Sequence, residues 1–173
     1  VVLVNMAEKL QLSLDEFMQM EKDERFNYEL IDEIVYMAPS PSREHQRIAH
    51  KLHGNMYTKL SNTECDSAGE LDVLWNGNVL KPDLMVFCNK EAEIPEIVFE
   101  ILSPSTRYKD LTIKLRKYEE MGVKEYWIVD PKTKSITVHD FVNPGAEIYT
   151  VGEIAKSNIR PELELDVASI FDI

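Results

Sequence analysis

Apolar residues recur along this chain in two rhythms. From Arg43 to Leu60, Ile48, Ala49, Leu52, Met56 and Leu60 return at intervals of three and four, the spacing that places side chains on one face of a helix. From Arg107 to Gly122, Leu111, Leu115 and Tyr118 draw a second helical stripe, and Gly122 stands where a helix stop belongs. Near the start, "LSLDEFMQM" predicts a short helix, with Ser13 and Glu16 at capping-box spacing. The other rhythm is that of strands: "GELDVLW", "DLMVF" and "EIVFEIL" in the middle, then two strands in "KEYWIVDPKTKSITVHDF" joined by a proline-led turn, then "AEIYTVGE". Tyr28–Ile31 and Ile34–Met37 are strand-like runs separated by Asp32-Glu33, which predicts a hairpin, and Asn76-Gly77-Asn78 predicts another turn. The segment "RPELELDVASIFDI" reads as a strand followed by a short helical turn. An N-terminal helix and hairpin, a long helix, clustered strands, a second helix and more strands imply an α/β (α+β) layer fold: a mixed central sheet with helices on its faces.

Length and composition place all of this in one domain over residues 1–173, with 44% apolar and 29% charged residues and no linker-like tract. The net charge of −12 argues against nonspecific adhesion to nucleic acid while leaving room for a local basic strip or for an acidic pocket holding a divalent cation. Cys65 and Cys88 show neither zinc-ligand spacing nor a disulfide framework, so reduced thiols are expected. The opening "VVLVNMAEK" has four apolar residues before Asn5, and no segment approaches the roughly 18 apolar residues of a membrane span. The expectation is a cytoplasmic protein with no membrane partner.

Two acids break the strand pattern. Glu100 projects from "EIVFEIL" among apolar neighbours, and Asp83 opens "DLMVF" 17 positions earlier. If the two strands pair, the carboxylates lie roughly 5 Å apart on one face. A divalent cation would relieve their repulsion, since Mg²⁺ is held by one or two carboxylates and waters at about 2.1 Å. The alternative is structural: one acid caps a strand end and the other pairs with Arg107 or a lysine. Asp110, Lys114 and Tyr118 fall one helical turn apart, so Lys114 either carries its ammonium towards such a site or pairs with Asp110 on the surface. His45, His50 and His53 share one helix, but positions 45 and 50 point about 140° apart, which is poor for tetrahedral zinc.

The runs "KPDLMVF", "IVFEILSPST" and "KDLTIKLRKYEEMGVKEYWIVDP", with "NYELIDEIVYM" and "EHQRIAHKL" upstream, resemble the PD-(D/E)xK nuclease superfamily and within it the Uma-type family of restriction-endonuclease-like proteins common in cyanobacteria. The resemblance implies a restriction-endonuclease-like fold with Asp83 and Glu100 as metal ligands, joined by the carbonyl of Ile101. It implies Mg²⁺ as cofactor, with Mn²⁺ as a substitute. In the superfamily's usual pattern the lysine stands two positions after the glutamate. Leu102 occupies that position, and Lys114 matches the migrated lysine of this branch. Glu29 resembles the family's upstream glutamate, His45 its helix histidine and Tyr118 a supporting position. The implied activity is metal-dependent endonucleolytic hydrolysis of phosphodiesters, DNA first, by a homodimer. Lys114 would orient or deprotonate water, with Asp110 and Tyr118 in support. The competing reading is a nuclease fold that no longer cuts and serves as a binding or assembly module. Sequence preference and the choice between DNA and RNA are not written in any local motif.

Overall fold

The structure is a computed structural model that describes residues 11–171; the opening apolar run and the last two positions lie outside the described residues. The elements in chain order are α1 (Leu14–Gln19), β1 (Phe26–Ile31), β2 (Ile34–Pro39), α2 (Arg43–Leu60), β3 (Asp66–Ala68), β4 (Val73–Trp75), β5 (Asn78–Leu80), β6 (Leu84–Phe87) and β7 (Ile97–Ile101). There follow α3 (Arg107–Lys109), a π-helical turn (Asp110–Lys114), α4 (Leu115–Met121), β8 (Glu125–Asp130), β9 (Ser135–Asp140), β10 (Gly145–Thr150), β11 (Ile154–Lys156), β12 (Glu164–Asp166) and α5 (Val167–Ile170). The chain divides into two compact units, one of residues 11–40 with Asp72–Lys81, the other of Pro41–Leu71 with residues 82–171.

The smaller unit holds α1 and an antiparallel sheet of order β2-β1-β5-β4. The Ser13–Glu16 capping box closes in both directions, and Phe17 on α1 packs against Leu30 and Val79. The hairpin turns at Asp32 (φ 50°) and Glu33 (φ 63°), the left-handed pair that a two-residue loop needs to match strand twist. Neither residue is glycine. The buried amide of Asn78 offsets part of that strain: its Oδ1 accepts from the Asp32 N–H at 2.8 Å while its Nδ2 donates to the carbonyls of Trp75 and Asn76. The predicted strand "GELDVLW" is shorter than expected, because Glu70 takes a left-handed φ of 55° and extension resumes only at Val73.

The larger unit is built on a six-stranded sheet of order β10-β9-β8-β7-β6-β3, antiparallel except for the central β7–β8 pair. Alternation divides its side chains. Ile97, Phe99 and Ile101 of β7, with Trp127 and Val129 of β8, join Ile48, Leu52, Met56 and Leu60 of α2 in one core. Val98, Glu100, Tyr126 and Ile128 point to the opposite side, where the β7-to-β8 crossover helices lie and Tyr118 meets Tyr126 with ring centroids 5.0 Å apart.

Two expectations are corrected here. Cys65 and Cys88 form a disulfide rather than standing as reduced thiols. Strand register is the reason: β3 and β6 pair with Asp66 opposite Phe87, so the next pair outward is Cys65 with Cys88, a relation that a separation of 23 residues does not reveal. The second helix also turns a different face inward. Leu111 is exposed and Leu115 half-buried, whereas Asp110, Lys114, Lys117, Tyr118 and Met121 are buried. The π turn fits one more residue into its turn than α geometry allows, which advances the phase and rotates the charged stripe inward.

Candidate active site

Glu100 lies one residue from the end of β7 with 3% of its surface exposed. A carboxylate there needs partners, because desolvating an unpaired charge costs several kcal/mol on the usual scale. The partners come from the crossover helix. Lys114 brings its ammonium onto Glu100 Oε1, Tyr118 donates its phenol to the same oxygen at 2.7 Å, and Lys114 also stands 3.9 Å from Asp110. Lys114 and Asp110 are each 2% exposed. The tyrosine behind them, Tyr126, donates to the backbone carbonyl of Asp110 at 3.1 Å. Burial, and then the charges of Glu100 and Asp110, push the Tyr126 phenol well above its ordinary range, so it stays a donor.

Asp83 stands immediately before β6, and since Leu84 pairs with Phe99 the next positions in register are Asp83 and Glu100. Its carboxylate caps the neighbouring strand: Oδ2 accepts from the Ile101 N–H at 2.7 Å and contacts His45 Nε2 at 3.2 Å. Oδ1 has no bond among the described residues, and the side chain is 19% exposed. His45 lies in the first turn of α2, placed there by the Ser42 cap, whose hydroxyl accepts from the His45 N–H at 3.2 Å. Burial alone would lower the His45 pKa, but the Asp83 hydrogen bond and charge, with help from the Ile101 carbonyl and Asp110, raise it. Its Nδ1 is buried without a hydrogen-bond partner among the described residues.

Asp83, Glu100, Lys114, Asp110, Tyr118, His45 and Ile101 are therefore tied by direct contacts or by adjacent register. The displaced lysine, 14 positions after Glu100, reaches it because the helix folds back along that face. Arg107 binds Asp130 through two bonds of 3.0 and 2.7 Å, while the other arm of the structural alternative is met: Asp83 caps the end of β7 and Glu100 pairs with a lysine, Lys114. Glu29 belongs to the smaller unit, where it is 5% exposed and its Oε1 accepts from the Lys81 N–H at 2.8 Å. Among the described residues no group of three or more His, Cys, Asp or Glu is arranged to hold a metal ion. The donors that fit a hard cation are fewer: Oδ1 of Asp83 and the Glu100 carboxylate. One or two carboxylates, with the rest of the shell left to water and phosphate, is the usual protein share for Mg²⁺.

The Uma2 family, described as "Putative restriction endonuclease", matches residues 14–168. The chain belongs to the Uma2 family. An uncharacterised relative, slr1290 of Synechocystis sp., is 26% identical over 140 residues, which are 75% of this chain and 74% of that protein. A crystal structure from Anabaena variabilis, described as a putative nuclease belonging to DUF820, superposes with a TM-score of 0.80 at 20% identity, over 93% of this chain and 98% of that one. That similarity establishes the nuclease-like α+β fold. The expected family and fold class are both found.

One part of this Uma2 chain was missed in the sequence. A cavity of about 250 Å³ opens beside Asp83, with His45, Gln46, Ala49, His50 and His53 of α2 on one side and Gly69 and Glu70 on the other. The sequence weighs His50 and His53 only as zinc ligands. The question that would have found the cavity is which other element their helix face looks onto, and this depends on where Gly69 falls in space.

Proposed function

We propose that this Uma2 protein is a metal-dependent endonuclease that hydrolyses nucleic-acid phosphodiester bonds, with DNA as its substrate, Mg²⁺ as its cofactor (Mn²⁺ substituting) and a homodimer as its working form. The carrying observation is the buried Glu100–Lys114 pair beside Asp83: a carboxylate and an ammonium, both out of water, in adjacent register with a second carboxylate that is partly exposed. Asp83 Oδ1, Glu100 and the Ile101 carbonyl would hold the ion. When bound, such an ion polarises the phosphate and acidifies water. The chain's own groups supply the rest. Lys114 orients the attacking water and offsets charge growing on phosphate oxygens in a site where water does not screen it. Tyr118 fixes Glu100, the π turn fixes Lys114, and His45 with the Ile101 N–H fixes the Asp83 carboxylate. Glu29, through Lys81, steadies the backbone that leads into Pro82 and Asp83.

A second reading keeps the fold without the chemistry. It is favoured by the absence of a three-donor group among the described residues and by the Lys114 ammonium lying on Glu100. The discriminating experiment incubates the protein with plasmid and single-stranded DNA in Mg²⁺, in Mn²⁺ and in chelator, alongside calorimetric titration of both ions. Metal-dependent nicking lost in Glu100→Ala, and ion binding lost in Asp83→Ala, are the expected results. No cutting under any condition, with equal ion binding by the native chain and Asp83→Ala, would leave only the binding module.

A further inference from the structure

We infer that the cavity beside Asp83 is a subsite for an unpaired nucleobase carrying an exocyclic amino group. The inference rests on the endonuclease reading for its substrate class, but its argument is the hydrogen-bond polarity of the cavity wall. His53 Nε2 lies 3.3 Å from the backbone carbonyl of Asp83, and His50 Nδ1 lies 3.3 Å from the backbone carbonyl of Gln46. A carbonyl only accepts, so each of those nitrogens carries its hydrogen. In a neutral imidazole the other ring nitrogen is then an acceptor: Nδ1 of His53 and Nε2 of His50. Glu70 also lines the cavity. The two ring acceptors thus stand on a lining that holds Glu70 and Asp83, with Asp83 in contact with His45. Such a lining calls for a ligand that brings N–H groups.

Size and shape narrow the ligand further. The cavity is smaller than the ~300–1,000 Å³ typical of sites for drug-sized molecules and suits a single flat ring system, for which imidazole faces are stacking partners. Adenine, cytosine and guanine carry an exocyclic amino group with two N–H donors; thymine and uracil have a single ring N3–H, flanked by two carbonyl acceptors. A base inside a duplex is stacked on both faces and cannot enter a cavity with its ring, so the subsite takes unpaired or single-stranded nucleic acid.

Gly69 is the backbone condition for this arrangement. A Cβ there would sit 2.3 Å from His53 Cε1 and 2.9 Å from the Asp83 carbonyl oxygen, so any side chain at 69 displaces the His53 ring. This gives a variant that disturbs the subsite without changing a histidine or a residue of the proposed catalytic group.

The test follows the imidazole Cε1–H resonances of His50 and His53 by NMR, in chelator, during titration with deoxyadenosine, deoxycytidine and thymidine. Deoxyadenosine and deoxycytidine are expected to shift both signals, and thymidine neither; His53→Phe and Gly69→Ala should each remove the response. Equal shifts with thymidine, no shift with any nucleoside, or a response unchanged in Gly69→Ala would overturn the subsite. In parallel, mixed-sequence single-stranded oligonucleotides are cut in Mg²⁺ and the ends sequenced. Thymine should be depleted about fivefold at one position near the cut, a single hydrogen bond's worth, and the bias should vanish in Gly69→Ala. Absence of cutting with nucleoside selectivity intact would sink the endonuclease reading and leave the subsite standing. Cutting without base bias, and without nucleoside selectivity, would do the reverse.

Discussion

Two glutamates are buried in the parallel pair at the centre of the larger sheet, at opposite ends. Glu125 opens β8 opposite Ile97 and has no exposed surface; Glu100 nears the end of β7 opposite Ile128 and is 3% exposed. Their partners differ in kind. Glu125 receives neutral donors, one on each oxygen: the Trp127 indole N–H at 2.9 Å and the Asn158 backbone N–H at 2.6 Å. Glu100 receives an ammonium and a phenol, both on Oε1 and both from one helix. Burial alone thus does not mark a functional acid. What sets Glu100 apart is a partner that carries compensating charge, the feature on which the proposed function rests.

The largest effect should come from separating the charged pair. Lys114→Met leaves Glu100 buried opposite a thioether, and removing one partner of such a pair typically costs about 3–5 kcal/mol. Denaturant unfolding should show that loss, and metal-dependent cleavage should fall by at least about a hundredfold. Adding Glu100→Gln to Lys114→Met should recover much of the stability and none of the activity. If the single substitution unfolds like the native chain, Glu100 does not depend on Lys114 and the comparison fails. Glu125→Gln is the matched change at the other end. It keeps the shape but turns an N–H group towards one of two existing donors, for a loss of about 1–3 kcal/mol. Cleavage measured well below the melting temperature should be unchanged.

The two ends should also answer pH with opposite signs. Near Glu125, burial would raise the Glu96 pKa, but hydrogen bonds from Arg160 and Lys124 lower it on balance. A depressed carboxyl contributes stability that is present above its unfolded pKa of about 4.3 and lost as pH falls through the folded value. His45 at the other end has a raised pKa, so its contribution is complete below the unfolded value of about 6.5 and lost as pH rises through the folded one. Unfolding free energies measured in chelator should therefore fall off on both sides of that window. Glu96→Gln should flatten part of the acid limb, where Asp130, held low by Arg107, also acts. His45→Gln should flatten the upper limb, and an unchanged upper limb would detach His45 from Asp83.

How much of this was legible follows from which relations are local. The capping box at Ser13, the full extent of α2, the hairpin at Asp32-Glu33 and the strand around Glu100 all rest on neighbours within a few residues, and the structure has them as expected. Glu100 stood out because an acid in an apolar strand is a local anomaly. The misses share one cause, a register or phase set at long range. The Cys65–Cys88 bond depends on how β3 meets β6, and the outward turn of Leu111 depends on a π turn that no spacing rule anticipates; Lys114 does reach Glu100, as the resemblance implied. The closeness of Gly69 to His53 belongs to the same group. Leu111 and Leu115 gave a clean helical stripe that the structure leaves largely outside, because a charged stripe with partners waiting in the sheet buries as well as an apolar one.

The smallest change divides the Glu100 cluster itself. Tyr118 is fully buried and differs from phenylalanine by the one hydroxyl that donates to Glu100 Oε1. Tyr118→Phe keeps the ring packed on Tyr126 and leaves the Lys114 ammonium in place, so the cost should be near that of one hydrogen bond to a charged group, about 1.5–3 kcal/mol at most and nearer 1 if water enters. If Lys114 supplies the decisive charge, cleavage should drop only severalfold, far less than in Lys114→Met. If Tyr118→Phe instead abolishes cleavage while unfolding stays nearly native, the phenol rather than the ammonium governs how Glu100 is presented. The distinction drawn between neutral and charged partners at the two ends of the sheet would then not hold.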